Sequence, residues 1–235
     1  MWLFYTPDIK DDMQLPDEEA GHCIRVLRMK EGDRIRLTDG KGAFYDAVIS
    51  AVSGKRCMIH IENREEQPPL WDGHLHIAVA PTKLMDRNEW FVEKAVEIGV
   101  DEITFLRTEH SERDVVKMER IEKIAVSAMK QSQKAKLPVL NGMTPLKALI
   151  ERGFDGDKFI AHCEPGSKTL LQDAVVPGHN SLVLIGPEGD FSPAEIEMAL
   201  KAGFRPISLG PSRLRTETAA LVAVHIMNLA GQRRE

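Results

Sequence analysis

Residues 181–196 read SLVLIGPEGDFSPAEI, and residues 208–224 read SLGPSRLRTETAALVAV. In each case a short apolar strand, Leu182–Ile185 or Pro206–Leu209, runs into a Gly-Pro turn and then a helix. The first helix start is strongly marked: Ser192 caps, Pro193 fits the first helical position, and Glu195 completes a capping box. Gly186, Pro187, Glu188 and Gly189 therefore form a tight loop at the carboxyl end of a strand, the edge where open α/β sheets bind ligands. Either loop alone reads as an ordinary turn, because Gly and Pro serve any tight turn. The second loop asks for more. Arg213, Arg215, Thr216, Glu217 and Thr218 crowd charged and hydroxyl groups into one turn, where a plain connection needs a single cap.

Outward from this pair, strands and helices alternate from His74 onward, the pattern of an α/β domain with a largely parallel sheet. Strands are expected at His76–Ala80, Glu102–Leu106, Val139–Leu140 and Lys158–His162, before the two already quoted. Helices are expected at Arg87–Ile98, Met118–Gln133, Pro145–Glu151, Pro193–Ala202 and Thr216–Ala230. Gly99 and Gly203 stand where left-handed caps stop helices. The last helix is apolar around most of its circumference, so it needs cover on more than one side, from the sheet and from either a partner subunit or the rest of one chain.

Residues 1–66 read as a small β-rich domain, with residues 67–73 as a linker to a second domain at 74–235. Ile35 and Leu37 alternate with polar neighbours, Asp39-Gly40-Lys41-Gly42 is a hairpin turn, and strands continue at Ala43–Val52 and Cys57–Glu62. Glu18–Arg28 is expected to be a helix placing Cys23, Val26 and Leu27 inward. That segment and its continuation carry Arg25, Arg28, Lys30, Arg34 and Arg36, which form either a solvated face or a patch for a nucleic-acid backbone.

The 235 residues are enough for one substantial core or two smaller ones. No apolar run approaches the length of a membrane span, and the first residues lack the features of a signal peptide, so a cytoplasmic location without membrane association is expected. The three cysteines are far apart in apolar surroundings, which predicts buried, inert thiols. The eight histidines lack metal-ligand spacing. A net charge of −5 means that any nucleic-acid contact rests on local basic patches. Neither loop has the Gly-x-Gly-x-x-Gly spacing of a dinucleotide enzyme.

The two loops, IGPEG at 185–189 and LGP…LRTETA at 209–219, resemble the RsmE family of SPOUT methyltransferases, which methylate N3 of a uridine in 16S ribosomal RNA. The resemblance extends to Glu89–Ala95, Glu97–Val100, Gln131-Ser132 and the segment from His22 to Asp33, and so covers nearly the whole chain. It implies a SPOUT-type α/β domain with a C-terminal trefoil knot, preceded by a PUA-like β-barrel. It also implies S-adenosylmethionine as cofactor, a homodimer, and 16S ribosomal RNA within the small subunit as partner. The cofactor edge would comprise His162, Glu164, Leu184, Ile185, Gly186, Pro187, Glu188, Gly189, Leu209, Gly210, Leu214, Arg215, Thr216, Thr218 and Ala219. Arg25, Arg28, Lys30, Arg34, Arg113, Lys130, Gln131 and Lys134 would face RNA. The chain departs from the family's usual pattern at Asp190, where a second glycine is common, and at Lys130 and Lys134. Asp tolerates a left-handed backbone, so the loop is expected to survive.

Methylation at N3 requires the proton of that nitrogen to leave. Arg215 is a candidate to meet a carbonyl or phosphate, and Glu188 and Glu217 are candidate proton acceptors. Arg215 and Glu217 could equally form a structural ion pair at a helix start. Two rivals stay open: a SPOUT enzyme acting on a ribose hydroxyl, and a noncatalytic RNA-binding protein of the same fold.

Overall fold

The computed structural model describes residues 2–232. They form two compact units: residues up to Pro68 together with Val126–Leu137, and Pro69–Ala125 together with the chain from Pro138 onward.

The first unit is a five-stranded sheet built from β1 (Leu3–Tyr5), β2 (Asp12–Gln14), β3 (Arg34–Thr38), β4 (Ala43–Ser53) and β5 (Arg56–Glu66), in the order β1-β3-β4-β5-β2. Ile35, Leu37, Ala47, Ile49 and Ile59 point to one buried face, the two-residue period expected of a half-buried sheet. The turn between β3 and β4 places Gly40 at φ +76°, where glycine is favoured. Segment 126–137 closes on this unit through Ala135, which packs with Leu3 and Phe44 and accepts the Thr38 hydroxyl at 2.8 Å.

The helix expected over Glu18–Arg28 is shorter and changes pitch. A single turn, α1 (Asp17–Gly21), passes into a π-helical turn at His22–Val26, where the Leu27 N–H donates to the His22 carbonyl at 3.1 Å. The wider turn rotates later side chains away from the α-helical face. Cys23 stays buried, while Val26, expected inside, is 65% exposed.

The second unit is a seven-stranded sheet in which every pairing among the described strands is parallel. It contains β6 (Leu75–Val79), β7 (Glu102–Arg107), β8 (Val139–Pro145), β9 (Asp157–Ala161), β10 (Thr169–Leu170), β11 (Ser181–Ile185) and β12 (Arg205–Ser208), in the order β10-β12-β9-β11-β6-β7-β8. All five residues of both β6 and β11 are buried, as expected of strands covered on two faces. β8 is longer than the expected Val139–Leu140. An irregularity opposite Thr104 and Leu106 lets pairing resume at Thr144 and Pro145.

The helices are α2 (Met85–Ile98), α3 (Met118–Gln131, of which the residues from Val126 belong to the first unit), α4 (Leu146–Arg152), α5 (Leu171–Ala174), α6 (Pro193–Lys201) and α7 (Thr216–Gly231). α6 begins with the capping box expected from Ser192 and Glu195. α2 ends at Gly99, φ +127°, where a Cβ would fall 2.5 Å from the Trp71 ring. α7 buries Ala220, Ala223, Val224 and Met227 in the second unit and leaves Leu229 52% exposed.

Candidate active site

The carboxyl ends of β9, β11 and β12 open onto one cavity of about 700 Å³, within the size range of small-molecule sites. Its walls are the segment after β9, the turn after β11, the long turn after β12, and the first turn of α7. The first Gly-Pro turn is tied to the start of α7, just after the second, since the buried Thr216 hydroxyl donates to the Gly186 carbonyl at 3.1 Å. Asp190 adopts the left-handed conformation anticipated for it, at φ +64°. Its carboxylate accepts the backbone N–H groups of Cys163 at 2.6 Å and Phe191 at 2.8 Å. A glycine would supply the conformation but not this clip between the turn and the end of β9.

Of the residues assigned to the cofactor edge or to catalysis, His162, Ile185, Gly186, Pro187, Glu188, Leu209, Gly210, Leu214, Arg215, Thr216, Glu217 and Ala219 line the cavity. Four do not. Leu184 is buried in the sheet, Thr218 is half-buried on α7, Gly189 lies against His110, and the exposed Glu164 offers its carbonyl to Lys168. Strand alternation explains Leu184, because its neighbours Val183 and Ile185 point to the opposite face.

The ion pair between Arg215 and Glu217 does not form. Glu217 meets Arg87 of α2, whose guanidinium stands 3.6 Å from Oε1, while the exposed Arg215 side chain has no partner among the described residues. Glu217 is 8% exposed, and its Oε2 is buried without a hydrogen-bond partner among the described residues. His162 likewise has a buried, unpartnered Nδ1, and burial, followed by the charge of Lys168, lowers its pKa below that of an ordinary histidine. An unsatisfied buried polar atom costs roughly 1–3 kcal/mol, so two of them around one cavity suit a ligand that brings polar groups to both. Glu188 is exposed and accepts the Lys83 N–H at 3.1 Å.

Arg87, Lys168, Cys163 and Ser208 also line the cavity but were not singled out in the sequence. Arg87 had a readable signal: α2 follows the carboxyl end of β6, so its first turn is delivered to the ligand edge. Cys163, expected to be buried, is exposed there; burial of its sulfur, then the charge of Asp190, raises its pKa. Cys23 and Cys57 are buried, as expected, and burial pushes the Cys23 thiol up to about 12.

The residues expected to face RNA divide. Arg25, Arg28, Lys30, Arg34 and Gln131 are exposed, Arg34 with its guanidinium 3.5 Å from Glu62. Arg36, from the same basic run, is held by Asp46 and Glu65. Three others are occupied: Lys130 pairs with Glu19, Lys134 is 8% exposed, and Arg113 donates to the carbonyls of Thr82 and Lys83. Sequence position put these cations on the surface, but Glu19 draws in Lys130, and the carbonyls of Thr82 and Lys83 draw in Arg113.

The model of an RNA methyltransferase domain matches residues 69–228, and that of an RNA methyltransferase PUA domain matches residues 15–62. The ribosomal RNA small subunit methyltransferase E of Buchnera aphidicola is 30% identical over 233 residues, covering 92% of this chain and 89% of that protein. A crystal structure from Porphyromonas gingivalis, described as a probable rRNA-methyltransferase, is 49% identical, covers 98% of both chains and superposes with a TM-score of 0.95. The ribosomal RNA small subunit methyltransferase E of Neisseria gonorrhoeae, solved with S-adenosylmethionine bound, is 27% identical, covers 97% of both chains and gives a TM-score of 0.86. With an RNA methyltransferase domain carrying the cavity and a PUA domain before it, the chain belongs to the ribosomal RNA small subunit methyltransferase E family.

Proposed function

We propose that this protein transfers the methyl group of S-adenosylmethionine to N3 of a uridine in 16S ribosomal RNA. The observation that carries the reading is the cavity itself: two Gly-Pro turns, the first tied to the α7 start by Thr216 and Gly186, with Glu217, Arg215 and His162 on its wall. The turns at 185–188 and 209–214 would hold the cofactor through backbone groups and His162 Nδ1, while Glu217 Oε2, likewise without a hydrogen-bond partner among the described residues, would be left for the pyrimidine. When bound, the cofactor supplies a methyl group on a sulfonium. The chain's share is to orient the pyrimidine, exclude water and remove one proton. Arg215, exposed at the α7 start and without a partner among the described residues, would meet a uracil carbonyl or an RNA phosphate.

The wider reading follows from the same family. The exposed cations Arg25, Arg28, Lys30 and Arg34 would track RNA backbone. Residues near the C-terminus would form the trefoil knot, and the exposed α7 face carrying Leu229 would join a second copy in a homodimer. No helix of the described residues is long and apolar enough to cross a membrane; the reading places the enzyme in the cytoplasm, acting on the small ribosomal subunit. Nucleoside mass spectrometry of ribosomal RNA from cells with and without the gene tests the reaction. Loss of N3-methyluridine is expected, and an unchanged level, or loss of a ribose-methylated nucleoside instead, would contradict it.

A further inference from the structure

The N3 reading leaves two carboxylates at the cavity, and they differ in every property that matters to a base. Glu188 is exposed and spends one oxygen on the Lys83 N–H. Water competes for the rest. Glu217 is 8% exposed, on the first turn of a sixteen-residue helix. Arg87 approaches its Oε1 to 3.6 Å, beyond a good hydrogen bond, so the cation fixes the carboxylate without claiming its lone pairs. Oε2 is screened from water and has no hydrogen-bond partner among the described residues. A desolvated acceptor of this kind draws a donor more strongly than one already hydrated.

On the basis of the N3 reading, the geometry points to Glu217 as the group that takes the N3 proton, and to Arg87 as the positioning residue that aims it. In the step, the N3–H bond breaks and its proton passes to the Glu217 carboxylate. The nitrogen's electron pair forms the new N3–CH3 bond, while the methyl carbon's bond to sulfur breaks and its electrons stay on sulfur. The sulfonium charge and the carboxylate charge disappear together, and protonated Glu217 later releases its proton to water. Arg215, not Arg87, remains available to the substrate.

The test is single-turnover methylation of small-subunit RNA by the full-length protein, with calorimetry of S-adenosylmethionine binding and a melting curve for every variant. Glu217→Gln keeps the shape and removes the basicity. It is expected to slow transfer at least about 100-fold while changing cofactor affinity by less than about threefold, and formate is expected to restore part of the rate to Glu217→Ala. Arg87→Met is expected to cost about tenfold in rate at unchanged KM, and Arg87→Lys to recover most of it. Glu188→Gln is expected to weaken cofactor binding rather than the transfer step. The assignment is overturned if Glu217→Gln transfers within threefold of the parent, if its lost rate is matched by lost cofactor affinity, or if Glu188→Gln shows the rate defect instead. A parent enzyme that leaves its methyl on a ribose sinks the N3 reading itself, a result visible before any variant is made.

Discussion

Glu102 and Glu217 are buried to the same degree, at opposite edges of one parallel sheet, and they are treated in opposite ways. Glu102, at the amino end of β7, is surrounded by donors: His74 at 3.0 Å, Asn141 at 2.7 Å and Arg152 at 3.0 Å. The hydrogen bond from His74 leads the causes that lower its pKa to about 2, against the opposing effect of burial. Glu217, at the carboxyl edge, has one distant cation and a bare oxygen. A carboxylate whose acceptors are filled contributes stability, whereas one held ready without partners has a vacancy for a ligand. Burial alone would not have told them apart.

The largest effect expected of this contrast is on rate. Glu217→Gln should remove about two orders of magnitude of turnover with little change in melting temperature, and Glu102→Ala should do the reverse. Stripping the partners of a filled network costs about 2 kcal/mol, or roughly 5 °C in melting temperature for a chain of this size. The rate per folded molecule should be unaltered. A Glu102→Ala protein with parental stability and damaged turnover would erase the distinction.

Acid sharpens it further. The folded pKa of Glu102 is depressed from the ordinary 4.5 to about 2, so its stabilisation is present above 4.5 and is lost as pH falls from there toward 2. The buried His76 is depressed from 6.5 to about 4, chiefly by burial. The folded state disfavours its protonation, so stability also declines as pH falls from 6.5 toward 4. Melting temperatures measured from pH 7 to pH 3 should therefore fall throughout, and the lower part of the fall should be shallower in Glu102→Ala. Parallel curves for parent and variant would assign the acid sensitivity to other groups.

The smallest expected effect is at Asp190. Asp190→Gly keeps the left-handed turn but loses the clip to the Cys163 N–H. Cofactor affinity should weaken severalfold by calorimetry, with stability nearly unchanged. Unchanged affinity would mean that the turn is rigid without the clip.

What the sequence disclosed follows from interaction range. The Ser192–Glu195 capping box, the stop at Gly99 and the left-handed Asp190 are set by residues within a few positions of one another, and each was readable. The parallel sheet was legible because strands and helices alternate from His74 onward. The resemblance of the two Gly-Pro turns identified the cavity-bearing edge. The rest depends on neighbours distant along the chain. Arg87 reaches Glu217 across the folded domain, Glu19 claims Lys130, and Thr82 and Lys83 claim Arg113. The π turn at His22–Val26 replaced a regular helix because no local signal marks where an i→i+5 bond will be made. Lys134 and Cys163 exchanged their expected environments for the same reason: composition assigns a residue type its usual place, and packing decides the individual case.

The most direct measurement is a crystal structure of the protein grown with S-adenosylmethionine. The cofactor is expected to lie between the turns at 185–188 and 209–214, with a polar atom brought to His162 and Glu217 left facing the space for the pyrimidine. Cofactor bound elsewhere, or a complex in which both turns stay empty at saturating concentration, would contradict it.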